Sequence, residues 1–279
     1  MNKVMDKRAL GPGVVEFTVA APLIARKARA GQFVVVRAHE RGERIPLTLA
    51  DWDSERGTIT LVVQEVGKST RELGEEFAVG DAIRDVAGPL GTPSEIMAYG
   101  TVVCVGGGVG IAPIYPIARA LHDAGNEVIA IAGARTKELL FWLDRLGQVS
   151  DQLIVTTDDG SFGRRGLVTE PLREILASRK VDHVWAIGPA IMMKFCTQVC
   201  RELGVPITVS LNSIMIDGTG MCGGCRVEVE GQARFACVDG PEFPGDLVNW
   251  DLLLARLGTF KDEERCALER YLAAKEVAR

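Results

Sequence analysis

A chain of 279 residues is longer than one hydrophobic core ordinarily fills, near ~250 residues, and predicts about two domains. With 47% hydrophobic and 25% charged residues and a formal net charge of -5, it is ordinary globular material with no electrostatic drive toward nucleic acid. The start, MNKVMDKRALGPGVVEF, lacks a signal-like apolar run, and no later stretch approaches the ~20 apolar residues of a membrane helix, so a cytoplasmic protein with no membrane contact is predicted.

Residues 1–97 alternate short β-rich runs with turn signals: VVEFTV, GQFVVVRA, IPLTLADW, GTITLVVQEV and GDAIRDVAGPLG. The pattern predicts an antiparallel barrel or sandwich. Inside it, Gly67-Lys68-Ser69-Thr70 invites a P-loop reading, but that motif needs a glycine where Val62 stands. The tetrapeptide is then either a simple turn or a group of backbone donors, a cation and hydroxyls for another phosphate.

Residues 98–211 change texture. TVVCVGGGVG runs into PIYPIARALHDAG, EVIAIAGAR precedes KELLFWLDRL, QLIVTTDDG precedes TEPLREILAS, and DHVWAIGP precedes AIMMKFCTQVCRELG and PITVSL. Strand-length apolar runs separated by amphipathic stretches predict a parallel sheet covered by helices. The turn from Val105 to Pro113, VGGGVGIAP, is a strand entering a glycine loop and a helix, which suits a pyrophosphate. It departs from G-x-G-x-x-G because Pro113 takes the third position, and no acid ends the second strand, which reads Ala132-Gly133-Ala134-Arg135. A purely structural turn is the competing reading.

Residues 212–246 hold the sharpest signal. Cys222 and Cys225 form C-x-x-C, and Cys237 follows after eleven intervening residues. In a reducing compartment this is metal-ligand spacing and not a disulfide framework. Zinc would want a fourth Cys or His nearby, yet His39, His122 and His183 are all far upstream. Asp217 gives D-x4-C-x2-C, the plant-type ferredoxin arrangement with one oxygen in place of one sulfur. Glycines at 218, 220, 223 and 224 let backbone curl around a cluster. An iron-sulfur cluster leads, with zinc and unliganded thiols as alternatives. Cys104, Cys196, Cys200 and Cys266 read as structural or incidental thiols. Residues 247–279 read as a charged helical tail.

Taken together, GPLG at Gly88 to Gly91, GGGVGIAP, DDGSFGRRG, GPAIMM and the cluster segment resemble the ferredoxin reductase-like flavoprotein superfamily, in the branch with the electron-transfer subunit of dihydroorotate dehydrogenase. The segment with Asp217 and the tail CVDGPEFPGDLVNWD are most similar to the small subunits of the NADH-dependent reduced ferredoxin:NADP oxidoreductases, also known as sulfide dehydrogenases. The resemblance implies an FAD-binding barrel, an NAD(P)-binding domain and a [2Fe-2S] segment, hence an oxidoreductase subunit moving electrons between NAD(H), with NADP(H) as the alternative, and a partner. It implies that Pro46, Leu47 and Thr48 lie against the flavin ring, with Thr48 near N5 in the catalytic role, and that Gly67, Lys68, Ser69 and Thr70 hold the FAD pyrophosphate.

The resemblance further implies that Gly107, Gly108, Gly110, Ala112 and Pro113 hold the nicotinamide nucleotide, with Asp159, Gly188, Pro189 and Met192 beside it, and that Asp217, Cys222, Cys225 and Cys237 hold the metal. Leu47 stands where relatives carry an aromatic, and Arg44, the phosphate-clamp candidate, comes one place early. Ile187 replaces a cysteine common in relatives, which argues against a thiol assisting hydride transfer. Arg135 and Lys137 stand near where a 2′-phosphate would lie, or else form a solvated helix start. The implied partner is a larger flavoprotein/iron-sulfur subunit in an electron-bifurcating heterodimer, serving ferredoxin and NADP(H) indirectly. Two rivals remain: an electron-transfer subunit of dihydroorotate dehydrogenase, where the first ligand is ordinarily cysteine, and a zinc-stabilised nucleotide-binding regulatory module.

Overall fold

A computed structural model describes residues 2–277. The N-terminal alternation folds into β1 (Asn2–Gly11), β2 (Val14–Ala20), a single-turn α1 (Pro22–Ala25), β3 (Phe33–Arg37), β4 (Arg44–Thr48), β5 (Asp51–Asp53), β6 (Thr58–Gln64), α2 (Lys68–Glu76), β7 (Ala82–Ile83) and β8 (Asp85–Leu90). These strands build the barrel from two antiparallel sheets, β5-β6-β2-β1-β7 and β4-β3-β8. Successive strand residues face opposite ways, and the consequence is clearest in β3. Val34 and Val36 enter the barrel core with Phe17, Leu49 and Leu61, while Phe33 and Val35 point out of it into a second core.

The second region contains β9 (Thr101–Gly107), α3 (Ile111–Asp123), β10 (Glu127–Ala134), α4 (Leu143–Gln148), β11 (Gln152–Thr157), β12 (Arg164–Arg165), α5 (Thr169–Ser178), β13 (His183–Ile187), α6 (Ala190–Leu203) and β14 (Ile207–Ser210). The parallel order is β12-β11-β10-β9-β13-β14. β9 and β10 are apolar almost throughout because helices cover both faces of the sheet. The sheet grows one way from β9 and then the other, so the crevice at the carboxyl ends of β9 and β13 is a topological switch point.

One amphipathic stretch divides. KELLFWLDRL yields a 3-10 turn (Lys137–Leu139) and then α4, because Trp142 takes a left-handed conformation with φ 55°. Its indole N–H donates to the buried Glu16 carboxylate of the barrel at 2.7 Å. A bond between regions here overrides local helix propensity.

The cysteine-bearing loop leads into a hairpin of β15 (Arg226–Val229) and β16 (Gln232–Phe235), then β17 (Glu242–Pro244), α7 (Trp250–Leu257) and α8 (Lys261–Val277). β17 pairs antiparallel with β14, placing Phe243 opposite Val209, so one strand from residues 212–246 belongs to the nucleotide-type sheet. The helical tail predicted over residues 247–279 has its last two residues outside those described. α8 buries none of its described residues and is tied to α2 by Lys275 Nζ to Glu75 at 2.6 Å and Tyr271 OH to Glu76 at 2.9 Å. Among the described residues no helix is long and apolar enough to cross a membrane.

Candidate functional site

On the barrel, Thr48 lies opposite Phe33, Leu47 opposite Val34, Pro46 opposite Val35 and Arg44 opposite Arg37. Directly opposed residues share a face of the sheet. Pro46 and Thr48 therefore stand on the outer side with Phe33 and Val35, whereas Leu47 and Ile45 pack against the barrel core. The Leu47 side chain expected beside a flavin ring is turned inward. Arg44 is exposed at the start of the strand.

Gly67 caps α2, and the Thr70 hydroxyl oxygen accepts the N–H groups of Val66 at 3.1 Å and Gly67 at 3.0 Å, closing the turn. The buried Ser69 hydroxyl donates to Glu43 at 2.5 Å. Both hydroxyls thus serve the loop itself. An anion would meet the free N–H groups at the start of α2 and the Lys68 ammonium, 3.7 Å from Glu72, whereas Arg71 is turned to Glu75 at 3.5 Å. These groups fit the pyrophosphate of a flavin dinucleotide.

At the switch point the glycines interlock. A Cβ on Gly110 would lie 2.1 Å from the Ile187 carbonyl oxygen, one on Gly107 would lie 2.2 Å from Met192 Sδ, and one on Gly188 would lie 2.8 Å from Met192 Cε. Pro189 reaches to 3.5 Å of the same Gly107 position. Gly108, at φ +56°, has open space before it, so a backbone-lined cradle faces outward at the start of α3. That cradle suits a nucleotide pyrophosphate. Ala112 and Pro113 are buried in the first turn of α3 and shape the helix start instead of facing the cradle.

Asp159 lies apart from this cluster, on the turn after β11, two strands across the sheet from β9. Its carboxylate accepts the Ser161 hydroxyl at 2.7 Å and the Ser161 N–H at 2.9 Å, and these bonds hold its pKa below the usual range. Ser161 in turn accepts the Lys137 N–H at 2.8 Å. Arg135 and Lys137 are exposed beside it, with Lys137 Nζ 5.5 Å from the centre of the Phe162 ring.

In the cysteine loop, one Asp217 oxygen accepts the Thr219 N–H at 2.9 Å and the other accepts the Cys222 N–H at 2.8 Å. The Thr219 bond chiefly, then the Cys222 bond, hold the carboxyl below its ordinary range, so it is a carboxylate. Cys225 and Cys237 are buried with their Sγ atoms 3.2 Å apart, and Cys222 Sγ accepts the Gly224 N–H at 3.4 Å. Among the described residues no three such side chains are gathered around one point. A two-iron cluster asks for two ligands on each iron. The loop offers two pairs, Cys225 with Cys237 and Asp217 with Cys222, and this donor set fits. Cys104, Cys196 and Cys200 are buried structural thiols; burial pushes Cys200 up to about 12.

The candidate sites adjoin. Gly218, at φ +72°, is pressed against the barrel: a Cβ there would lie 2.8 Å from Leu90 Cδ1 and Val35 Cγ2 and 3.9 Å from Phe33 Cε2. Phe33 thus stands between the residue following Asp217 and Thr48. Behind the loop, Thr92 N–H donates to the Gly240 carbonyl at 2.6 Å, and the Ser94 hydroxyl donates to Glu242 at 2.6 Å. Phe33, Leu90, Ser94 and Glu242 carry no local signature. Only their distant partners give them a role.

This fold and these sites define a class: ferredoxin reductase-like oxidoreductases that add an iron-sulfur domain to a barrel and an NAD-binding domain. Residues 212–249 match the iron-sulfur cluster binding domain of dihydroorotate dehydrogenase B, and residues 104–198 match the oxidoreductase NAD-binding domain. The dihydroorotate dehydrogenase B (NAD(+)) electron transfer subunit homolog of Thermotoga maritima is 54% identical over 272 residues, covering 98% of this chain and 96% of that one. The corresponding electron transfer subunit of Desulforamulus reducens is 33% identical over 264 residues, covering 90% of this chain and 100% of that one. A chain from the solved NADH-dependent reduced ferredoxin-NADP oxidoreductase, a structure described for flavin-based electron bifurcation, matches with TM-score 0.92 and 54% identity over 98% of each chain. The protein belongs to the family of dihydroorotate dehydrogenase B-type electron transfer subunits.

Proposed function

We propose that this chain is the small electron-transfer subunit of an electron-bifurcating NADH-dependent ferredoxin:NADP oxidoreductase, with FAD, a [2Fe-2S] cluster and NAD(H) as cofactors. Its partner is a larger flavoprotein/iron-sulfur subunit that works with ferredoxin and NADP(H), and the complex is cytoplasmic. When bound, FAD supplies the conversion between hydride transfer at the nicotinamide and single-electron transfer to the cluster. The chain's own residues place and insulate the groups. Thr48 and Pro46 present the outer face of β4 to the flavin ring, with Thr48 as the hydrogen-bonding group at N5. The turn and helix start from Gly67 to Thr70, with the Lys68 ammonium, would hold the pyrophosphate. Gly107, Gly108 and Gly110 would hold the nicotinamide nucleotide, with Met192 closing that turn and Asp159 on the neighbouring loop beside it.

Asp217 carries the choice within the family. Its two oxygens are organised by N–H groups of the cluster loop, at the position where the dihydroorotate dehydrogenase group ordinarily has cysteine.

The test is anaerobic native isolation with metal, sulfide and flavin analysis. It should return about one FAD and about two iron atoms with acid-labile sulfide per chain, together with a large flavoprotein subunit. Stoichiometric zinc without iron would refute the cluster, and co-isolation with a dihydroorotate-oxidising subunit would assign the chain to that pathway instead. Asp217→Cys should keep the cluster with a shifted potential and paramagnetic spectrum, and Asp217→Ala should lose iron while retaining FAD. Wild-type spectra in both variants would remove Asp217 from the ligand set.

A further inference from the structure

The helix that follows the cluster segment ends on the cluster loop. α7 is anchored at its start: Asn249 caps it by accepting the Leu252 N–H at 3.1 Å and also donates to Glu228 at 2.7 Å, while the Trp250 indole donates to the Gly245 carbonyl at 3.0 Å. Trp250 and Leu253 are buried beneath it. Arg256, in the last turn, lies at the edge of that buried face and is itself half-buried. Its guanidinium donates to the Gly224 carbonyl at 3.2 Å, between Cys222 and Cys225, and among the described residues no carboxylate pairs with it.

This contact acts on both sides of one peptide group. In a trans peptide the carbonyl and the following N–H point in opposite directions. Holding the Gly224 carbonyl toward Arg256 therefore turns the Cys225 N–H away from it, on the loop where the Gly224 N–H already donates to Cys222 Sγ at 3.4 Å. Arg256 also sets a permanent, weakly hydrated positive charge behind the loop. A fixed positive charge favours the more negative, reduced form of a nearby cluster, and hydrogen bonding and net charge both act on cluster potential.

We propose that Arg256 is the positioning residue of the iron-sulfur loop, fixing the Gly224–Cys225 peptide and raising the reduction potential of the cluster held there. The inference rests on the cluster reading above. Its test is dye-equilibrium potentiometry with paramagnetic resonance on the full chain, for wild type, Arg256→Gln and Arg256→Lys, with iron release to a chelator and flavin absorbance read in parallel.

Arg256→Gln should move the equilibrium with a one-electron reference dye about tenfold toward the oxidised cluster, about 59 mV, or release its iron faster, with flavin retained. Arg256→Lys keeps the charge and should recover most of either effect. The proposal is overturned if Arg256→Gln matches wild type in both potential and iron release, or if Arg256→Lys is as altered as Arg256→Gln. Absence of iron and sulfide from the wild-type chain would instead sink the cluster reading on which the inference stands.

Discussion

The nucleotide turn and the cluster loop are both rich in glycine, yet for different reasons. At Gly110 the glycine is required because another backbone, the Ile187 carbonyl, occupies the position a side chain would take. At Gly218 the obstacle is a pair of side-chain tips, Leu90 and Val35, together with a left-handed φ of +72°. The first region is a joint between two strands of one sheet. The second is a loop shaped by its own N–H groups and leaned against a neighbour. Fold and ligand binding are therefore hard to separate in the first region and separable in the second.

Matched substitutions test that separation, and the largest effect is expected at the joint. Gly110→Ala forces backbone apart and should cost about 3 kcal/mol or more of stability, measured by denaturant unfolding, with NADH binding lost in a titration. Wild-type unfolding with intact binding would break the distinction. Gly218→Ala should cost roughly 2 kcal/mol, since the side chains can give way but the left-handed backbone is penalised. Its main effect should be slower reduction of the cluster by NADH in rapid mixing, with flavin reduction unchanged. Equal slowing of both steps would show that the loop does not act as a separable unit.

The smallest expected effect lies where the regions meet. Burial pushes the Glu242 carboxyl up to about 7, against the opposing Ser94 hydrogen bond. Because the folded-state pKa is raised, the stability it contributes is fully present below the ordinary carboxylate range and is lost as pH rises through about 7. Glu242→Gln should match wild type near pH 4 and be more stable by roughly 1–2 kcal/mol near pH 8, read from unfolding curves at the two values. A gap that does not vary with pH would remove ionisation of Glu242 from the account.

Much of this was legible from local pattern. Alternating runs marked the barrel strands, continuous apolar runs marked a sheet covered on both faces, and the spacing from Asp217 to Cys225 put an oxygen in register with thiols. What was not legible depends on partners distant in sequence. KELLFWLDRL carries a helical pattern, and only the Glu16 carboxylate 126 residues away explains why Trp142 breaks it. EFP is three residues ending in proline, too short to announce a strand, and it becomes one because β14 offers an unpaired edge. Leu47 fits the expected motif by position, but strand alternation turns it to the barrel core. Arg256 reads as an ordinary basic residue complementing the end of a helix until Gly224 is found beneath it.

The pairing of β17 with β14 bears on how such proteins can be rebuilt by recombination. A cluster segment that merely followed the nucleotide domain could be exchanged like a bead on a string. Here its excision would uncover the edge of β14, with its buried Ile207 and Val209, and an uncovered apolar edge is a template for adhesion between molecules. Grafting this iron-sulfur module onto another reductase therefore requires transplanting residues 207–210 and 242–244 together, as one seam.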